Sequence, residues 1–439
     1  MRKERAQKRG WKMGLLSGDR IIVGYDLGNE VSQISYSLSE SGEVETLSQV
    51  AGAQHYNIPT VLCKRCGVNQ WFYGKEAIRY STEQQGILVD NLLALALDGE
   101  PVLIEGESLD PVALLTLFVK RSLGMLSQVA SPDKISAMMI TCEVLDHKIL
   151  EVLGRVIQGL HLKTDKIAFE SHTESYYNYM IHQPEELWMH RSALFHYNAG
   201  GIKTYRLECN QHTTPVVAFI DEQEFPFPAW EPVPEEEAAR QSRISELDGQ
   251  FLKIAGEICD GGMFGSVFLI GDGFDQEWLK ESLKFLCKES RVFQGNNLFS
   301  KGACFGMQER LCASESGKQH VFLGNDKLKA NIGMKILRQG EESYYALLDA
   351  GVNWYEAENQ VEFYLQDGNM VELIITPLIG QKGKVAQITL EDFPGTIARL
   401  RARLRLESEN VLAVEIEDEG LGEIRPATGR IWKEKIEIY

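Results

Sequence analysis

The chain has 439 residues, enough for roughly two or three domains, and its apolar fraction of 44% is typical of a globular protein. The formal net charge of −18 argues against broad nucleic-acid affinity, which needs a basic surface to displace counterions. No run approaches the roughly 20 apolar residues of a membrane span. The sequence therefore predicts neither a nucleic-acid partner nor a membrane span.

The chain begins with a basic leader. Residues 1–12 read MRKERAQKRGWK and lack the apolar core of a secretory signal. We expect residues 1–19 to be disordered, or the native start to be Met13. The alternative is a polybasic patch that binds RNA or an anionic membrane. The eight cysteines are scattered, which predicts reduced thiols and a cytoplasmic location.

A strand, a tight turn and a second strand are predicted over residues 21–36, IIVGYDLGNEVSQISY. Gly28 lies in the turn, and because it has no Cβ, backbone N–H groups there can approach a phosphate. Asp26 could hold a hydrated metal ion beside that phosphate. The simpler interpretation is that Asp-Leu-Gly is only a turn.

Buried strands, Gly-rich turns and helices alternate along the segments that follow. We predict a hairpin and helix at 58–78, strand–helix pairs at 135–157 and 166–181, a second strand–turn–strand unit at 193–209, a strand, Gly-x-Gly turn and helix at 266–286, and a small-residue helix at 297–311.

This succession resembles the actin-type and DnaK-type ATPase superfamily over about residues 20–312. DLGNEVS resembles the first phosphate loop, YNAGGIK the second, and FLIGDGF the adenosine-contacting turn. IPTVL…WFYGKEA resembles the chaperone hairpin, and AFESHTESYYNYM and SKGACFG resemble the two connecting segments.

The resemblance implies an α/β fold with two actin-like or DnaK-like lobes of the ribonuclease-H type, each a mixed β-sheet flanked by helices. It also implies ATP or ADP with magnesium in the cleft between the lobes. Asp26 and Glu170 would be the catalytic residues, and Asp26 would bind the metal. The implied nucleotide contacts are Gly28, Asn29, Ser32, Gly200, Gly201, Gly271, Asp272 and Gly273.

Two positions depart from the family pattern. Tyr197 stands where the chaperones have an aspartate near the magnesium, and a phenol with a pKa near 10 cannot replace a carboxylate. Leu92 stands where they place a lysine beside the γ-phosphate. Phosphoryl transfer depends on positioning and charge stabilisation, so these losses predict very slow hydrolysis. The stretch between Gly201 and Phe268 is about half the chaperone length, which also puts adenine binding in doubt. Within it, residues 222–241 are rich in proline and acidic residues, which predicts a surface loop, and the amphipathic pattern of residues 244–259 predicts a helix.

Three functions are consistent with this pattern. We favour a degenerate, nucleotide-binding pseudo-ATPase that acts as a scaffold in a chaperone-like system. The second hypothesis is a slow magnesium-dependent ATPase that closes its lobes on ATP. The third is an interaction protein whose cleft binds no nucleotide.

The sequence pattern changes after about residue 313. Apolar and polar residues alternate over 361–366, 370–378, 385–393, 399–408, 411–420 and 430–439, which predicts an antiparallel sandwich or barrel. We therefore expect lobe I over 20–190, a reduced lobe II over 191–312 and a mainly β domain over 313–439. The β domain occupies the position of the chaperones' peptide-binding sandwich, which implies a protein or peptide partner. The end of the chain, ITLEDFP…IRPATGRIW, looks like that of the bacterial domain-of-unknown-function family 5716, and the resemblance to this family spans most of the chain.

Two smaller motifs leave alternatives open. Four arginines share one face of one predicted strand: Arg399, Arg401, Arg403 and Arg405. This face is either solvated and paired with nearby acids, or it is a basic strip that docks a partner. Cys63 and Cys66 form a CxxC motif without the second pair that a structural zinc site needs, so thiols flanking a hairpin turn are favoured.

Overall fold

The computed structural model describes residues 20–38, 42–50, 52–198, 200–229, 236–274, 278–288, 290–378, 382–393 and 397–439. The predicted basic leader lies outside the described residues. None of the helices in these ranges combines the length and apolarity that crossing a bilayer requires.

The helices are α1 (Gly74–Thr82), α2 (Leu92–Asp98), α3 (Pro111–Leu123), α4 (His147–Leu160), α5 (His172–Ile181), α6 (Glu237–Cys259), α7 (Glu281–Cys287), α8 (Leu298–Leu311) and α9 (Glu315–Gln319). The first strands are β1 (Ile21–Leu27), β2 (Val31–Leu38), β3 (Glu45–Thr46), β4 (Ile58–Pro59), β5 (Leu62–Arg65), β6 (Trp71–Tyr73), β7 (Gly86–Val89), β8 (Val102–Ile104), β9 (Glu107–Leu109), β10 (Ile135–Cys142) and β11 (Ile167–Ser171). They are followed by β12 (Arg191–Asn198), β13 (Gly201–Asn210), β14 (Val216–Phe225), β15 (Ser266–Ile270), β16 (Arg291–Gln294), β17 (His320–Phe322), β18 (Ala330–Arg338), β19 (Glu341–Leu348), β20 (Glu358–Leu365), β21 (Met370–Pro377), β22 (Lys384–Thr389), β23 (Ala398–Ser408), β24 (Val411–Gly420) and β25 (Ile431–Glu437).

Local sequence explains helix α4. Asp146 caps it by accepting a hydrogen bond from the Ile149 N–H at 2.8 Å, which satisfies one of the free amides of the first turn. Apolar residues then recur every three or four positions and are buried on one face: Ile149, Val152, Leu153, Val156 and Leu160. The strand and amphipathic helix predicted at 135–157 are confirmed as β10 and α4.

The chain divides into two compact units. Among the described residues, unit 1 contains those within 20–170 and 299–311, and unit 2 contains those within 171–298 and 312–439. Helix α5 therefore belongs to unit 2, although it follows the last strand of the first sheet. Helix α8 belongs to unit 1, although it follows strands of the second sheet.

Each unit contains a six-stranded sheet with the same strand order at its centre. In unit 1 the order is β11-β10-β1-β2-β3, with β4 also paired to β2. In unit 2 it is β16-β15-β12-β13-β14-β17. The first strand of each sheet, β1 or β12, pairs antiparallel with the next strand and parallel with a later one. The molecule is thus α/β, with one strand arrangement used twice.

Two four-stranded antiparallel sheets complete unit 2, in the orders β19-β18-β21-β22 and β20-β23-β24-β25. All six strands predicted between residues 361 and 439 are confirmed, as β20 to β25. In β23 and β24 every second residue is buried, as expected when one face of a sheet packs on the core and the other faces solvent.

One predicted segment differs. The surface loop predicted over 222–241 is shorter, because residues up to Phe225 extend β14 by pairing with β13. Helix α6 begins at Glu237, before the predicted start at residue 244. Its first turn, EAAR, is exposed and has no large apolar residue, so no apolar periodicity marks it in the sequence. Residues 230–235 of this loop lie outside the described residues.

Candidate functional site

The first predicted phosphate loop is the tight turn between β1 and β2. The Gly28 N–H donates to the Val31 carbonyl at 3.2 Å. A Cβ at residue 28 would lie 2.5 Å from that oxygen, so the turn itself requires glycine. Asp26 lies at the carboxyl end of β1, opposite Thr141 at the same end of the parallel strand β10, and is partly exposed.

The other two predicted contacts of this loop are engaged inside unit 1. The Asn29 side chain donates to Asn91 Oδ1 at 2.8 Å and accepts from the Ala94 N–H at 3.2 Å, at the first turn of α2. Ser32 is fully buried, and its hydroxyl lies 2.9 Å from that of Thr60. Both side chains therefore have internal hydrogen-bond partners where phosphate contacts are predicted.

The remaining predicted positions of unit 1 are buried. Glu170, the predicted second catalytic residue, has no exposed surface at the end of β11. Leu92 is also fully buried, in the first turn of α2. Residue 92, where the chaperone pattern has a lysine, is therefore an apolar side chain in the interior of unit 1.

Tyr197 defines the second predicted phosphate loop, at the carboxyl end of β12. Its ring is 3% exposed, and its hydroxyl donates to the Pro228 carbonyl at 2.7 Å. It makes edge contacts with three other rings, at centroid distances of 5.0 to 6.3 Å, those of Phe227, Phe274 and Trp278. We call these four residues the aromatic cluster. Its apolar surface cannot replace the water shell of a magnesium ion, so this turn does not fit a magnesium phosphate group.

The glycines of the adenosine-like turn fit against the same tyrosine. A Cβ at Gly273 would lie 2.1 Å from Tyr197 Cδ1, and one at Gly271, where φ is +102°, would lie 2.1 Å from the Tyr197 carbonyl oxygen. Asp272, between them, begins a short 3-10 helix. The Gly-x-Gly spacing therefore has a packing explanation within unit 2.

The β12–β13 turn holds the last two predicted contacts. The Gly200 N–H donates to Asn198 Oδ1 at 2.9 Å. Gly201 has φ of +136°, and a Cβ there would lie 2.4 Å from the Phe225 carbonyl oxygen. The structure thus brings the glycines of both unit 2 turns to the ends of the adjacent strands β12 and β15.

Sequence reasoning missed the aromatic cluster. Phe227 lies in the Pro-rich segment read as a loop, and Trp278 lies beyond the Gly-x-Gly turn. The available signal was the density of aromatic residues in FPFPAW and FDQEW, which is unusual for solvated loops.

No metal site is evident in the described part of the chain, where no three His, Cys, Asp or Glu side chains converge. Cys63 is buried in β5 and Cys66 is exposed in the turn that follows. Burial raises the pKa of the Cys63 thiol, and the neighbouring Cys66 raises it further. Cys63 thus lies on one side of the β5–β6 hairpin turn and Cys66 lies within the turn.

The arginine strip of β23 is neutralised by acids on the neighbouring strands β20 and β24 and on β23 itself. Arg401 lies 2.7 Å from Glu419, 3.6 Å from Glu362 and 3.7 Å from Glu417. The other three arginines also have a carboxylate within 4 Å: Arg399 with Glu419, Arg403 with Glu415 and Arg405 with Glu407. This face is a ladder of alternating charge, which is the arrangement that a solvated face adopts.

Two family models match the chain, both of unknown function. The first is described as the C-terminal part of the family of unknown function DUF5716 and matches residues 43–325. The second is the domain of unknown function DUF8552, over residues 327–438. Among the curated proteins, none matches. The chain is therefore an α/β protein that belongs to the DUF5716 family.

Proposed function

We propose that this protein is a degenerate member of the actin and DnaK type, with two ribonuclease-H-like lobes that act as a scaffold and do not turn over ATP. In support, the two six-stranded sheets share one strand order, and the resemblance implies two lobes that are each a mixed sheet. The C-terminal β region would contact a protein or peptide partner.

The observation that carries this proposal is the aromatic cluster around Tyr197. At the turn where the superfamily pattern has a magnesium carboxylate, the structure has a buried phenol with a backbone partner. Together with Leu92 in place of the lysine, this removes the two charges that would stabilise the transition state.

A slow magnesium-dependent ATPase is the second candidate. Asp26 supports it, because this carboxylate is partly exposed at the carboxyl ends of two parallel strands. Loop side chains and ligands commonly meet at such strand ends.

Nucleotide binding and turnover separate these functions. The thermal midpoint of the full chain should be measured with and without Mg-ATP and Mg-ADP, together with phosphate release. A ligand that binds only the folded state at 100 times its Kd adds about 2.7 kcal/mol. The scaffold proposal expects no phosphate release above background, in the wild type and in Asp26→Ala alike.

Steady phosphate release that is lost in Asp26→Ala would overturn the proposal and establish the ATPase. A thermal shift without release supports a scaffold that binds nucleotide. The absence of both supports an interaction protein that is independent of nucleotide. Pull-downs from cell extract, with the four strip arginines intact or changed to Ser, then test the strip, whose neutralised charges predict identical partners.

A further inference from the structure

The two family models meet at Asp326, and we call this junction the seam. Side-chain and backbone contacts fix the chain on both sides of it. Lys327, the first residue of the second model, is 6% exposed. Its ammonium donates to Glu174 Oε1 at 2.6 Å, in the first turn of α5. Both residues lie within unit 2.

The backbone on the other side of the seam is also held. Lys327 forms an isolated antiparallel bridge with Asn353. The Trp354 N–H donates to the Asp326 carbonyl at 2.9 Å, and the Leu328 N–H donates to the Val352 carbonyl at 2.9 Å. Segment 326–328 is thus paired with segment 351–354, while the Lys327 side chain reaches α5.

The buried pair is only partly satisfied. Within the described part of the chain, Glu174 Oε2 and Asn353 Oδ1 have no hydrogen-bond partner, and both residues are buried. Removing two charges from water costs more than their attraction returns unless every polar atom is paired. Net stability is therefore a weak reason for an ion pair at this place. Fixing one arrangement of two elements is the role for which such pairs are best attested.

We propose that the Glu174–Lys327 ion pair is a latch that couples the β region of residues 327–438 to helix α5, so that the seam and the helix open as one cooperative unit. A second contact joins α5 to the strand just before the seam: the rings of Tyr177 in α5 and Phe322 in β17 are stacked at 4.8 Å. The latch fixes the position of the residues matched by the second family model relative to α5, which lies in the first.

Hydrogen exchange of the full-length protein tests this coupling residue by residue. Glu174→Gln and Lys327→Met each leave one buried partner without its counter-charge. The matched control is the pair Glu281→Gln and Lys284→Met in α7, whose ion pair has the same 2.6 Å length but is mostly exposed. We expect each latch variant to accelerate exchange on the order of 100-fold at 322–329, 351–354 and α5 together. Amides at the centre of β12 should be unchanged, and the control pair should change no region.

Three results would overturn the latch. The first is that the latch variants exchange at the same rates as the α7 controls. The second is that exchange accelerates at the seam while α5 is unchanged. The third is that every amide of unit 2 accelerates equally, which would make the pair a general support of folding. If the variants do not fold, hydrogen exchange of the wild type tests the latch instead. The coupling requires that the amides of the seam and of α5 have the same opening free energy and the same denaturant dependence. Distinct values for the two segments would contradict the coupling.

Discussion

At the scale of the residue, the Asp326 carboxylate at the seam lies where burial disfavours its charge. Burial raises the pKa of Asp326 to about 6; the Ser171 hydroxyl and Lys327 lower it, whereas the Glu174 and Glu222 carboxylates raise it. The folded state therefore binds the Asp326 proton more tightly than the unfolded state does. Stability from this group is greatest below the unfolded pKa near 3.9, and it is lost as pH rises through about 6.

Asp326→Asn should remove this pH dependence. Asparagine stays neutral, so we expect the variant to be about 3 kcal/mol more stable than the wild type above pH 7 and within about 0.5 kcal/mol of it at pH 4. Urea denaturation at several pH values from 4 to 8 measures the difference. Asp367→Asn, at an exposed position between β20 and β21, is the control. A pH-independent gain in Asp326→Asn would show that the aspartate titrates normally.

At the scale of the element, the turn after β15 takes its shape from the strand beside it. Because the Tyr197 ring occupies the space above Gly273, that position has no room for a side chain. The tyrosine is held in turn by the Pro228 carbonyl and by the aromatic cluster. The turn, the strand and the loop after β14 are therefore one packing unit.

Gly273→Ala should cost about 3 kcal/mol in the wild type and almost nothing when residue 197 is also alanine. The added methyl would overlap the ring, and overpacking of this kind forces a local shift. A double-mutant cycle in urea measures the coupling directly. Gly256→Ala in α6, where a Cβ meets open space, is the control. Equal costs of Gly273→Ala in both backgrounds would mean that the turn, not the ring, requires glycine.

At the scale of the whole molecule, each compact unit contains one helix that in chain order comes directly after strands of the other unit's six-stranded sheet. In unit 1 this helix is α8, which packs on β1 and β2 through small and polar groups. A Cβ at Gly24 would lie 2.2 Å from the Ser300 carbonyl oxygen and 2.3 Å from the Cys304 N. The Ser35 and Ser300 hydroxyls are 2.8 Å apart. The small residues of α8 permit this close approach.

Gly24→Ala should therefore destabilise unit 1 by about 3 kcal/mol, because helix backbone cannot yield as a flexible side chain does. Exchange of the α8 amides should accelerate in the same variant. Gly154→Ala in α4, where a Cβ meets nothing within 4 Å, should instead stabilise by about 1 kcal/mol. If Gly24→Ala is neutral in urea denaturation, the helix is not seated on β1 as described.

The sequence by itself determined the elements whose signals are local. Period-two alternation placed all six C-terminal strands, and apolar runs bounded by glycine placed both strand–turn–strand units. These features depend on neighbours within a few residues, so one chain is enough to read them.

Only the tertiary structure decided what the polar and small residues of the candidate site contact. Asn29 meets Asn91, Tyr197 meets Trp278, and Gly24 meets Ser300, each across more than sixty positions of sequence. No local pattern encodes such partners, because packing brings them together only after the strands are ordered into sheets. The same physics explains why glycine spacing typical of phosphate loops here accommodates a tyrosine ring.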